Sequence, residues 1–202
     1  MDEYRVGTDT ATVAHALGEP ITPWQGGLVQ DLVPRATASP NTYSGIFGLD
    51  RFPFHSDLAH WRTPPRYLLL RCITGHAAVP TLLLDAHTIY DAVTLDVLGR
   101  AIFRPRRPRD GKLTLLRLYE PTEAGGCFRW DEIFLKPASR IGDIADCRVR
   151  EELANCKSLS ITLARAGDTL LIDNWRMLHA RSPIPLGRED RKFQRVYLEG
   201  VR

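Results

Sequence analysis

Long apolar runs are missing from this 202-residue chain, so no segment reads as a membrane-spanning helix. The first residues, Met1-Asp-Glu-Tyr-Arg, lack the basic and then apolar pattern of a secretory leader, and a cytoplasmic location is expected. Cysteine is sparse. Cys72, Cys127, Cys147 and Cys156 form no Cys-x-x-Cys pair, which argues for reduced thiols rather than a disulfide frame or a zinc site. A strong excess of one charge is also lacking, and a formal net charge of +3 is too small to imply a nucleic-acid partner. There is no internal repeat and no low-complexity tract. The chain is 44% hydrophobic and 25% charged, an ordinary balance for a globular domain with one core.

Periodicity gives the coarse layout. Thr10 to Leu17 reads as a short amphipathic helix closed by Gly18, and residues 21 to 50, rich in Pro, Gly, Ser and Thr, as loops with short strands. Tyr67 to Ile73 and Thr81 to Asp85 are apolar runs of strand length separated by a turn containing Gly75. Thr88 to Phe103 has helical periodicity, and Cys147 to Cys156 reads as another helix. Further strands are expected at Leu113 to Leu118, Gly126 to Trp130, Ser158 to Leu163, Thr169 to Ile172 and Lys192 to Leu198. Many short strands with Gly and Pro turns predict a mainly β fold, a sandwich or a double-stranded β-helix of the jelly-roll or cupin-like kind. A few flanking helices and a single domain over residues 1–202 complete the expectation.

The chemistry is concentrated in His55-Ser56-Asp57, answered 124 residues later by His179. Two imidazoles and one carboxylate are the donor set that holds non-haem Fe(II) on one face and leaves other positions open. In an extended strand residues i and i+2 share a face, so His55 and Asp57 can reach one metal while Ser56 points away. A lone His-x-Asp is weak evidence. Downstream, Arg191, Phe193, Arg195 and Tyr197 would share one face of a strand, which places two guanidinium groups on the same wall.

Phe54-His-Ser-Asp-Leu58, Thr63 to Cys72, Pro80-Thr81, Gly167 to Ser182 and Arg191 to Arg195 together resemble the TauD/TfdA-like family of Fe(II)- and 2-oxoglutarate-dependent oxygenases, including its clavaminate-synthase-like branch. The similarity covers roughly residues 45–85 and 160–200. It implies a double-stranded β-helix in which His55, Asp57 and His179 ligate Fe(II) and act as the catalytic centre. It implies 2-oxoglutarate and O2 as cosubstrates, with decarboxylation to succinate. Arg191 and Thr81 would hold the distal C5 carboxylate, and Arg195 would face substrate or the C1 end. Planar, bidentate guanidinium suits the carboxylate end.

The expected reaction is hydroxylation of a small molecule, an amino-acid-derived or secondary-metabolite intermediate, free or carrier-tethered. Desaturation, cyclisation and epimerisation share the same ligand set. Asp57 argues against halogenation, in which related proteins vacate the carboxylate position. Two other readings stay open: the same chemistry on nucleic acid or protein, prompted by the basic loop Arg104 to Arg109, and a β-barrel that binds metal or 2-oxo acid without turnover. Only 54 residues precede His55, fewer than in most of the family, which leaves one side of the barrel bare or covered by a second subunit. A homodimer is therefore an open expectation.

Overall fold

The computed structural model describes residues 7–23, 26–109, 111–123 and 125–202. In chain order its elements are α1 (Thr10–Leu17), β1 (Gly18–Ile21), β2 (Gln30–Leu32), α2 (Tyr43–Phe47), β3 (Tyr67–Thr74), β4 (Thr81–Asp85), α3 (His87–Ala92), α4 (Leu95–Arg100) and β5 (Ile102–Pro105). There follow β6 (Leu116–Arg117), β7 (Tyr119–Glu120), β8 (Cys127–Phe128), β9 (Leu135–Pro137), α5 (Arg140–Asn155), β10 (Leu159–Ile161), β11 (Thr169–Asp173), β12 (Met177–Arg181) and β13 (Lys192–Val201). The chain is thus mainly β with a few helices, of which α5 is the longest among the described residues.

Two antiparallel sheets position the site. One runs β1-β13-β3-β11, with β2 also on β13, and the other runs β10-β4-β12. Leu68, Leu70 and Cys72 of β3, Phe193 and Tyr197 of β13, Ile172 of β11 and Leu83 of β4 form one core that joins them. Strand β3 reads as a largely apolar run, interrupted by Arg71, because both of its faces are covered. Leu69, between those inward residues, packs instead with Val13 and Ala14 of α1 and Val196 and Leu198 of β13. Behind the second sheet, Leu84, Leu178 and Ala180 pack with Ile89, Leu98, Ala145 and Val149 of the helices and with Trp130.

Helix α1 and strand β4 have the bounds expected from the sequence. Asp9 caps α1, its carboxylate accepting from Thr12 N at 2.9 Å. The expected Thr88–Phe103 helix is broken in two. Val93 turns extended, Thr94 recaps α4, and the chain passes into β5 at Ile102. Two β-branched residues in succession, one with a hydroxyl suited to capping, account for the break. Helix α5 starts earlier than the expected Cys147, because Ser139 caps it and Ala145 and Val149 lie on one buried face. The turn between β3 and β4 needs Gly75 for close approach: a Cβ there would lie 2.3 Å from the Leu163 carbonyl oxygen. All four cysteines are free thiols, and no helix among the described residues is long and apolar enough to cross a membrane.

Candidate active site

The chain segment ending in His55 lies beside β12, where His55 and His179 exchange both backbone hydrogen bonds, at 3.0 and 2.9 Å. A cross-strand pair of this kind holds its Cα atoms about 5.5 Å apart. The two rings accordingly lie with centroids 4.4 Å from each other. Strand pairing therefore brings together histidines that are distant in the chain.

Asp57 is placed differently from the strand alternation expected for it. The extended stretch ends at Ser56, Asp57 opens a turn, and Leu58 takes φ 56°, in the left-handed region. Such a conformation in a non-glycine residue costs about 1–3 kcal/mol and persists only where its surroundings impose it. Asn174 does so. Its carboxamide oxygen accepts from Asp57 N at 2.7 Å, and its Nδ2 donates to the carbonyls of Asp57 at 3.0 Å and Pro65 at 2.9 Å. Ser56 points the other way, its hydroxyl accepting from Trp130 N at 3.0 Å. Removing the clamp in Asn174→Ala leaves three buried backbone groups unpartnered. On the order of 3 kcal/mol of stability should be lost, with weaker metal binding. Equilibrium denaturation and a metal titration check this; wild-type values for both would mean that the turn holds without Asn174.

The Asp57 carboxylate is oriented by two donors. Its Oδ2 accepts from Arg195 Nη1 at 3.0 Å and from the Tyr197 hydroxyl at 2.8 Å. Its Oδ1 is left 3.5 Å from His55 Nε2 and 3.6 Å from His179 Nε2. One atom from each of the three residues lies within 4.8 Å of the others. Ligands at right angles about an ion with bonds of ~2.1 Å stand about 3 Å apart, so a small closure is enough to share a metal. His55 Nδ1 lies 2.9 Å from the Pro53 carbonyl, which can only accept, so the ring donates there and keeps the Nε2 lone pair for a ligand. Tyr43 holds the ring from the other side, stacked at 4.3 Å.

Burial acts to raise the Asp57 pKa, but the Arg195 charge and the two neighbouring imidazoles outweigh it and hold the carboxyl well below its usual range. Burial and the neighbouring His55 push His179 down. An anionic Asp57 and a neutral His179 are the protonation states a divalent metal requires. The donor set fits Fe(II).

These residues line a cavity of about 580 Å³, within the usual range for a small-molecule site. Its wall also includes Thr81, Arg181 and Arg191. Arg191 is 6% exposed and its Nε is buried without a hydrogen-bond partner. Its guanidinium lies over the Phe193 ring at 3.6 Å, and no carboxylate among the described residues pairs with it. Burial lowers its pKa to about 10. A buried cation without a counter-charge is the residue type and environment that a bound carboxylate would complete. Thr81, 5% exposed, stands opposite Arg181 in the β4–β12 register. Arg195 also lines the cavity, but the structure places its guanidinium on Asp57 and on the Gln30 side-chain oxygen.

Several cavity residues escaped the sequence reading. Arg181 lies within the Gly167 to Ser182 stretch, as does Asn174, which is outside the cavity lining and serves Asp57 from behind. His60 and Asp131 lie in irregular segments and Tyr43 opens the five-residue helix α2, so none of the three carried a periodic signal. Asp131 is 3% exposed, and its Oδ1 accepts from Ile133 N and Phe134 N, both at 2.8 Å. Burial raises its carboxyl pKa. Trp130 and Arg129 belong to the interior: the Arg129 guanidinium bonds the carbonyls of Ala59, Trp61 and Arg62 and the Glu120 carboxylate.

A solved structure of asparagine oxygenase superimposes on this chain with a TM-score of 0.72 at 20% identity, over 93% of this chain. The non-heme iron oxygenase OrfP, in complex with Fe and alpha-ketoglutaric acid, matches with a TM-score of 0.67 at 22% identity over 90%. The chain has the fold of these iron oxygenases. It spans 62% of the length of the first and 60% of the second. Another asparagine oxygenase structure, holding Fe(II), 3-hydroxyasparagine and succinate, matches at 18% identity with a TM-score of 0.67, over 85% of this chain and 56% of its own. No protein-family model matches, and no curated protein matches by sequence.

Proposed function

We propose that this chain is an Fe(II)- and 2-oxoglutarate-dependent dioxygenase that hydroxylates a small, amino-acid-derived molecule. The observation that carries the reading is the convergence of His55, Asp57 and His179 on one cavity that also contains the unpaired, buried Arg191. When bound, Fe(II) would supply the oxidising chemistry that couples O2 and 2-oxoglutarate to C–H hydroxylation, with succinate and CO2 as co-products.

The protein's own part is to bind, orient and keep water out. Arg195 and Tyr197 fix Asp57 so that Oδ1 faces the metal position, and Asn174 fixes the backbone beneath it. Arg191, with Thr81, would take the distal carboxylate of 2-oxoglutarate. Asp131 and Tyr43 lie on the cavity wall beside His55, where a carboxylate with one oxygen already bonded offers the other to an amine or amide of a substrate. Asn41, Ser39 and Ser44 add neutral polar groups to the lining. The fold reading is a double-stranded β-helix forming one domain over residues 1–202, supported by two antiparallel sheets between which β10 to β13 alternate. A cytoplasmic location, a carrier-tethered substrate and a homodimer are compatible extensions of the same reading.

The basic loop favours a small-molecule role over nucleic-acid binding. Arg106 is engaged by Asn41 and lies over Phe134, and Arg109 lies over Trp61, so these two side chains are folded onto the protein. Anaerobic titration with Fe(II) and then 2-oxoglutarate tests the proposal. The weak visible charge-transfer band of the chelate should develop at one equivalent of metal, and succinate should form on admitting air. A protein that binds neither iron nor 2-oxoglutarate would overturn it. Asp131→Asn should weaken amino-acid substrates about tenfold or more while leaving 2-oxoglutarate binding unchanged, checked by perturbation of the same band.

A further inference from the structure

Arg181 is a second cation in the same cavity, and the resemblance to the oxygenase family gives it no role. It sits two residues beyond His179 on β12 and opposite Thr81 on β4. Its Nη2 donates to the carbonyls of Gly48 at 2.8 Å and Asp50 at 2.6 Å, and its guanidinium lies 3.5 Å over the Phe52 ring. These contacts hold the group in place without neutralising it. Its Nε is buried and has no hydrogen-bond partner, as is also true of Arg191 Nε. Burial, then the charge of Arg191, bring its pKa down to about 10. Two guanidinium groups thus repel one another on one cavity wall, each with an unused buried N–H. Such an arrangement is costly unless an anion is bound between them.

We propose that Arg181 acts with Arg191 to grip the distal carboxylate of the 2-oxo acid cosubstrate, so that both guanidinium groups select a dicarboxylate over a monocarboxylate. This rests on the function proposed above and deepens it by assigning a residue to cosubstrate selection. The carbonyl bonds from the 48–50 loop aim Arg181, so the loop carrying α2 on its N-terminal side becomes coupled to cosubstrate binding.

The test is calorimetric titration of the anaerobic Fe(II)-loaded protein with 2-oxoglutarate and, separately, with 2-oxovalerate, which has the same chain without the distal carboxylate. Wild type should prefer 2-oxoglutarate strongly. Arg181→Met should weaken 2-oxoglutarate about tenfold or more and leave 2-oxovalerate unchanged. The Arg181→Met, Arg191→Met double variant should lose less than the sum of the two single losses, because the two groups share one ligand. Arg181→Lys keeps the charge and should retain part of the preference. If Arg181→Met binds 2-oxoglutarate as wild type does, the proposal is wrong. Equal weakening of both ligands would also overturn it, since that pattern means Arg181 only supports the loop. Wild-type protein that binds iron but no 2-oxo acid would remove the functional reading itself, a result distinct from either.

Discussion

Asp57→Ala should abolish iron binding and turnover and should also destabilise the metal-free protein. The carboxylate supplies the only negative charge of the three metal donors, and its other oxygen is the ion-pair partner of Arg195. Removing one member of a buried pair strands the other charge, at a cost of about 3–5 kcal/mol. Arg195 keeps the Gln30 side-chain oxygen at 2.8 Å, which places the expected loss at the lower end of that range. Metal content after reconstitution and a denaturant midpoint measure the two effects separately. His55→Ala should lose the metal with a smaller stability penalty, since no ion pair of that strength is broken. Stoichiometric iron and undiminished 2-oxoglutarate turnover in either variant would remove the site assignment.

Arg191→Met should do the opposite to stability. The wild-type guanidinium is buried without a counter-ion, so a thioether of similar length removes a desolvation cost while losing a contact with Phe193. A net gain of about 1 kcal/mol is expected in the ligand-free protein, which raises Tm by roughly 2–4 °C for a chain of this size. The same change should weaken 2-oxoglutarate by about a hundredfold, the consequence of losing a charge-assisted pair worth about 2–3 kcal/mol, with iron affinity unaltered. Melting scans with and without 2-oxoglutarate show both trends in one experiment. A variant that is less stable and binds the cosubstrate normally would mean that Arg191 is a structural residue.

Much of the site was legible in the chain. The donors His55, Asp57 and His179 were recognisable as residue types, and a period of two placed Arg191, Phe193, Arg195 and Tyr197 on one wall. All four line the cavity. Strand β3 was visible as an apolar run, although its two-sided burial made it indistinguishable from a short buried helix by periodicity alone. The helical stretch after β4 reads as continuous in the sequence because apolar spacing persists across Val93 and Thr94, where local capping ends one helix and begins the next. Asn174 stands five residues before His179 in the chain, which suggests that histidine as its neighbour. Its actual partner, Asp57, is 117 residues away.

By itself the sequence determined the chemistry on offer, namely which donors and cations exist, and which of them alternate onto a common face. Only the tertiary structure decided that His55 and His179 stand opposite each other, that Asn174 props the left-handed turn after Asp57, and that Arg181 joins Arg191 beside Thr81. The reason is physical. Periodicity reports the direction in which a side chain leaves its own strand, whereas register between strands, set by the packing of the whole core, selects what it meets there.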